Sequence, residues 1–197
     1  MVKVRKDEII DLDGKVKFPR GEVVCCGTRK EATDFMQTVT PASTTIHGAT
    51  VVSGIYGTST SGICGTSTSG ICGTSTSGDN GTSTSGVRGS SISGDRGTST
   101  SGICGTSTSG ICGTSTSGYD GTSTSGDYGT STSGDYGIST SGHYGTSTSG
   151  YRGTIQIKYY DYNVERYKIK NGYIGEDGLK PNVPYILNGK HKFVEKK

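Results

Sequence analysis

Gly57-Thr-Ser-Thr-Ser-Gly-Ile-Cys64 opens a run of twelve octads that ends at Gly145-Thr-Ser-Thr-Ser-Gly-Tyr-Arg152 without an insertion or deletion. Fixed-period self-similarity takes precedence over ordinary domain reading, because each repeat is one unit that buries its surface only by stacking on its neighbours. Ser holds the third and fifth places of every octad. Thr at the second and fourth yields only to Ser90, Ile92 and Ile138, while the seventh and eighth places vary freely. A flexible Gly/Ser/Thr linker has the same composition, but no reason to keep register or to alternate a β-branched residue. Thr-Ser-Thr-Ser bounded by Gly reads as a short strand and a tight turn. Stacked, such units form a β-solenoid whose strands are paired everywhere except at the two ends.

Eight residues closed on themselves leave almost no interior, so two octads, sixteen residues, are expected per coil. Twelve octads then make six coils, a shaft of roughly 30 Å at about 4.8 Å per stacked strand. Alternation along a strand sends the two Thr to one face and the two Ser to the other. Ser is expected inside, since its places never vary. In the degenerate thirteenth unit, Gly153-Thr-Ile-Gln-Ile157, the apolar residues also fall on the Ser places. The leading unit agrees in part: Val51 is expected inward and Val52 outward. Buried hydroxyls require partners, which neighbouring coils are expected to supply. The repeat glycines are expected where turns need positive φ or close approach.

The fold class is therefore all-β: a β-solenoid of octads, two per coil, with small capping segments at both ends. Residues 1–48 form a lead-in cap, 49–153 the solenoid and 154–197 a C-terminal β cap. In the first, Asp13-Gly14 marks a hairpin within Ile9–Phe18, Glu22–Cys26 is a third strand candidate, and Thr28–Met36 is a short helix or loop. In the last, Ile155, Ile157 and Tyr159 alternate, as do Tyr167 and Ile169, and Asn188-Gly189 signals a hairpin between Tyr185–Leu187 and Phe193-Val194.

Composition narrows the function. Only 28% of the 197 residues are hydrophobic and Trp is absent, which is poor material for an ordinary core but adequate for a thin solenoid. Residues 49–152 carry three basic and five acidic side chains. That argues against a nucleic-acid track, which needs clustered Lys and Arg. The flanks carry net charges of +1 (1–48) and +4 (153–197). No stretch is long and apolar enough to span a membrane. Met1–Asp7 lacks the apolar core of a secretory signal. Cys25, Cys26, Cys64, Cys72, Cys104 and Cys112 are expected to be free thiols. In the two-octad coil Cys64 and Cys72 lie on opposite edges, as do Cys104 and Cys112. A cytoplasmic or virion-associated location is expected.

No constellation reads as a catalytic site, so the chain is expected not to be an enzyme. His47, His143 and His191 are isolated in sequence. The turn residues Asp79, Asp95, Asp127 and Asp135 lack the nine-residue period of calcium-binding arrays, so no metal and no cofactor are assigned. The candidate binding residues are the outward Thr rows: Thr58, Thr60, Thr66, Thr68, Thr74, Thr76, Thr106, Thr108, Thr122 and Thr124. Tyr128, Tyr136 and Tyr144, all at the eighth place, are self-association candidates. The expected partner is an unidentified protein or a second copy of the chain.

Gly-Asp-Tyr-Gly-Thr-Ser-Thr-Ser-Gly at 126–134 and its near copy at 134–142 resemble octapeptide arrays of bacterial and bacteriophage proteins. The tail from Gly172 to Val183 is similar to the tail of those arrays. The resemblance covers about residues 50–197. It implies a β-solenoid and a phage or prophage origin, and that family brings no assigned activity. Tyr-Gly-Thr-Ser-Thr also resembles the sixteen-residue units of bacterial ice-nucleation proteins. That likeness implies that outward Thr-x-Thr rows order water or ice. Ser90, Ile92 and Ile138, a shorter array and the missing export signal depart from it.

Overall fold

The structure is a computed structural model that describes residues 2–3, 10–11, 16–17, 22–23, 31, 35 and 48–196. The chain divides into two compact units, Met1–Thr44 and Thr45–Lys197. In the first, β1 (Val2–Lys3) pairs antiparallel with β4 (Glu22–Val23), and β2 (Ile10–Asp11) with β3 (Val16–Lys17). The last pair is the expected hairpin. Its Asp13-Gly14 turn, Cys25, Cys26, His47 and most of the expected 1–48 cap lie outside the described residues. Glu31 and Phe35 are helical.

The second unit opens with fourteen consecutive strands, one per octad. They are β5 (Thr50–Val52), β6 (Thr58–Thr60), β7 (Thr66–Thr68), β8 (Thr74–Thr76), β9 (Thr82–Ser85), β10 (Ser90–Ile92) and β11 (Thr98–Ser101). There follow β12 (Thr106–Thr108), β13 (Thr114–Thr116), β14 (Thr122–Thr124), β15 (Thr130–Thr132), β16 (Ile138–Ser141), β17 (Thr146–Thr148) and β18 (Thr154–Asp161). Each pairs in parallel with the strand sixteen residues away, so even-numbered strands make one sheet and odd-numbered strands the other. Ser91, for example, lies between Ser75 and Ser107, and Ser99 between Ser83 and Ser115. Two octads per coil is thus the observed arrangement. There are seven turns rather than six, because the degenerate units at 50–52 and 154–157 also enter the ladders as β5 and β18.

Serine fills the interior. Every third-place Ser from Ser59 to Ser147 is fully buried, and the fifth-place Ser from Ser61 to Ser149 are buried as well. Most third-place hydroxyls bridge the two sheets: Ser67 donates to the Ser59 carbonyl at 2.6 Å, Ser99 to the Ser91 carbonyl at 2.6 Å, and Ser131 to the Ser123 carbonyl at 2.7 Å. Most of these bonds join residues eight apart, across the shaft. The expected ladder along the axis survives in Ser133···Ser149, 2.8 Å. Only a side chain as short as Ser lets the facing strands come this close.

Turn chemistry meets the second of the two roles expected of the repeat glycines. Each turn runs from the sixth-place Gly to the next octad's first Gly and is closed by an N–H···O bond, as from Gly121 to Gly118 at 3.1 Å. Left-handed φ falls not on glycine but on the eighth residue, at 50–59° in all thirteen turns from Tyr56 to Arg152. The repeat glycines are there for close approach instead. A Cβ on Gly126 would lie 2.8 Å from the Gly110 carbonyl carbon, the backbone of the turn stacked on it. The eighth residue is held left-handed because its N–H reaches the seventh-place carbonyl one turn on, as from Cys104 to Tyr119 at 2.8 Å. An L-residue there costs about 1–2 kcal/mol, which Asn largely escapes. Replacing Cys64, Arg96 and Cys112 together by Asn is expected to stabilise the fold by about 2 kcal/mol and raise the melting midpoint by roughly 5 °C, read by circular dichroism. An unchanged midpoint would show that the turn bears no strain.

Hydrocarbon replaces serine at the C-terminal end. Ile155 and Ile157 occupy the third and fifth places of the last rung and are fully buried, as their placement in sequence implied. Ile155 packs with Ile174, Leu179 and Tyr185, against Val183 and Phe193. Here β18 continues beyond the shaft as an antiparallel ribbon with β19 (Arg166–Tyr173). β20 (Tyr185–Leu187) pairs antiparallel with β17 and with β21 (Phe193–Glu195). Both sheets therefore end in antiparallel strands, which blocks further parallel stacking. The β20–β21 hairpin closes through five residues, 188–192, rather than a two-residue Asn-Gly turn. The Asn188 side chain accepts the N–H groups of Lys190 and Lys192, both at 3.0 Å.

Candidate functional site

The octad projects four positions outward: two Thr onto a flat face and two variable residues onto an edge. Because two octads make a turn, odd and even octads serve different faces. Of the sequence-predicted Thr, eight lie on the face of even-numbered strands: Thr58, Thr60, Thr74, Thr76, Thr106, Thr108, Thr122 and Thr124. Thr66 and Thr68 lie on the other. All are exposed or half-buried. The even face is interrupted: Ser90 and Ile92 share β10, and Ile138 begins β16. The odd face is not. From Thr66/Thr68 to Thr130/Thr132 it carries five consecutive Thr-x-Thr rungs in register. They form a hydroxyl and methyl lattice of about 4.8 Å by about 6.7 Å. Its C-terminal end is covered: Thr146 is buried, and Lys196 Nζ donates to its hydroxyl at 3.1 Å.

The edges differ as well. One carries Asp79, Asp95 and Asp127 at seventh places. The other carries Ile55, Ile71, Val87, Ile103 and Tyr119 in successive turns, all 38–63% exposed. The aspartates have a structural role. Asp79 Oδ1 accepts the Asp95 N–H at 2.9 Å, Asp95 that of Ile111 at 2.8 Å, Asp127 that of His143 at 2.8 Å, and Asp135 on the apolar edge that of Tyr151 at 2.7 Å. Each supports the seventh residue of the turn stacked on it. Among the described residues no group of three His, Cys, Asp or Glu is placed to hold a metal ion. Among the described residues no helix is long and apolar enough to cross a membrane.

Tyr128 and Tyr144 stack on the aspartate edge with ring centroids 5.3 Å apart. Tyr136 lies on the apolar edge between Tyr119 (5.5 Å) and Tyr151 (6.1 Å), with the Arg152 guanidinium over Tyr151 at 5.4 Å. Tyr119 and Tyr151 escaped sequence reasoning because they occupy the seventh place, not the eighth. Cys64 and Cys112 fall on one edge, Cys72 and Cys104 on the other, and all four are free thiols.

The structure also joins two histidines that are far apart in sequence. His143 and His191 line one cleft of about 300 Å³ with Tyr144, Lys158, Tyr159 and Tyr160. His191 stacks on Tyr159 at 4.1 Å, and His143 touches Tyr144 and Tyr167. On the neighbouring ribbon the Lys168 ammonium, 2.7 Å from Asp161, and the Asn163 N–H hold the Asp161 carboxyl below its usual range. Glu195 holds the Lys180 ammonium above its own.

Comparison with protein-family models, with curated proteins and with solved structures finds no match to this chain.

Proposed function

We propose that the chain is a non-enzymatic structural scaffold, a stiff rod that presents side chains at fixed spacing. One observation carries this reading: variation is concentrated at the two turn residues of each octad, while the strands that bear the load stay almost constant. Such a division suits a shaft whose edges meet partners. The likeness of 126–142 and 172–183 to bacteriophage arrays supports a phage or prophage origin, and with it a virion-associated or cytoplasmic place. Turnover of a small substrate that a single side-chain replacement abolishes would overturn the scaffold reading.

A second reading, ice binding, is favoured by the uninterrupted odd face, since all three departures from Thr in the twelve octads fall on the other side. The test is inhibition of ice recrystallisation by the purified protein and two variants. One changes Thr98, Thr100, Thr114 and Thr116 to Lys on the odd face. The other changes Thr106, Thr108, Thr122 and Thr124 to Lys on the even face. Ice binding requires inhibition by the natural chain that the first variant loses and the second retains. A folded natural chain without inhibition removes this reading and leaves the scaffold.

A further inference from the structure

The apolar edge has a symmetry that the repeat does not require. The edge has seven turns, with Cys104 at the eighth place of the fourth. Reversed about that turn, Arg88 falls on Asp120, Tyr56 on Arg152 and Cys104 on itself, while at seventh places Val87 falls on Tyr119 and Ile103 on Ile103. One pairing is poor: Ile71 meets Asp135, whose carboxylate is already bonded to the Tyr151 N–H. Arg88, Cys104, Asp120 and Arg152 are all exposed, and Tyr56 is 79% exposed.

We propose that this edge is a self-complementary docking surface on which a second copy of the chain binds antiparallel, with the two-fold axis at Cys104. An isologous contact of this kind needs one patch that complements itself. A two-fold perpendicular to the shaft and lying in the contact plane sets seventh places against seventh and eighth against eighth. It forms the Arg88–Asp120 pair twice. Other arrangements lose it. A parallel pair sets Arg88 against Val87. A shift centred on the turn of Arg88 opposes like charges. A shift centred on the turn of Asp120 opposes two carboxylates and also sets Arg88 against Arg152. The other edge has six turns, from Cys64 to Tyr144, and does not complement itself about its midpoint between Arg96 and Cys112, because Asp79 would meet Asp127.

Seven turns of about 4.8 Å across a shaft about 10 Å thick give a contact of roughly 350 Å² per protomer. That is below the standard interface size, so the dimer is reversible and concentration-dependent. The seventh residue leaves an odd strand and the eighth leads to an even one. Seventh-to-seventh pairing therefore brings the odd faces of both protomers to the same side and doubles the width of the Thr lattice.

Sedimentation of the full chain across a micromolar to millimolar dilution series tests the proposal, together with cross-linking by a short bis-maleimide. The expected results are a monomer–dimer equilibrium and cross-linking through Cys104 to Cys104. The exposed Cys112, beside the midpoint of the other edge, is expected to stay unlinked. Arg88→Asp or Asp120→Arg alone is expected to weaken the dimer at least about tenfold through like-charge contact, and the two together to restore it. A monomer at every concentration overturns the proposal. So does cross-linking through Cys112 as readily as Cys104, or a charge-exchanged double variant as weak as the singles. Circular dichroism confirms that each variant is folded, so a lost dimer is not a lost shaft.

Discussion

Gly126→Ala is expected to destabilise the solenoid by at least about 3 kcal/mol, the upper range for a methyl group forced into filled space. The new Cβ would lie 2.8 Å from the Gly110 carbonyl carbon, 2.8 Å from the Ile111 nitrogen and 2.9 Å from the Gly110 oxygen. All three are backbone atoms of the turn it stacks on, so no rotamer change relieves the contact. Relief requires the two turns to part, which breaks the Gly126 N–H bond to Gly110, 3.1 Å, and its neighbours in both ladders. Because each turn of a solenoid is stabilised chiefly by the turns beside it, the shaft should open at this point. Hydrogen exchange would show protection lost first around 110–128. Gly54→Ala is the control. It changes the same place of the leading unit, where a Cβ would have no atom of the described residues within 4 Å, and is expected to shift stability by less than about 0.5 kcal/mol. Equal effects at the two sites would mean that turn stacking is not what excludes the side chain.

The second large effect has the opposite sign. Ser101, Ser109, Ser117 and Ser125, all at fifth places, have buried hydroxyls without a hydrogen-bond partner among the described residues. Burying an unsatisfied hydroxyl costs roughly 1–3 kcal/mol. Replacing all four by Ala is therefore expected to stabilise the protein by about 4 kcal/mol, even at the low end of that range. Ser99, two residues from Ser101 on the same strand, is the contrast. It donates to Ser91, accepts from Ser107 at 3.0 Å and accepts the Thr108 N–H at 3.2 Å. Ser99→Ala is expected to cost about 1–3 kcal/mol. Urea unfolding of the four-site and single-site variants reads both. A loss of stability in the four-site variant would mean that ordered water occupies the fifth-place row.

Several features were legible in the residues because the physics behind them is local. The eight-residue period with a β-branched residue at alternate places specifies strand and turn. The strict Ser places specify the buried side, and Ile155 and Ile157 show where hydrocarbon begins. Thr58 and its equivalents were recognisable as outward from alternation together with the invariance of the Ser places. The glycines were expected at positive φ or at close approach, and close approach is what the repeat glycines serve. Sequence reasoning assigns a left-handed residue to glycine because glycine adopts it at no steric cost. In this fold glycine is needed more where backbone meets backbone, and the strain passes to the eighth residue.

The sequence by itself determined a β-solenoid of two-octad coils, its serine interior, its outward threonines and the opposite edges of Cys64 and Cys72. Alternation and chain closure act within sixteen residues and need no distant partner. The same sixteen-residue period sets Ser90, Ile92 and Ile138 on one face and Ile55, Ile71, Val87 and Ile103 along one edge. Only the tertiary structure decided that the turn aspartates hold a backbone N–H, that left-handed φ falls on the eighth residue, and that His143 shares a cleft with His191. The physical reason is that these depend on how each turn bonds to the one stacked on it and on where the cap folds back onto the last turns, and a local period specifies neither.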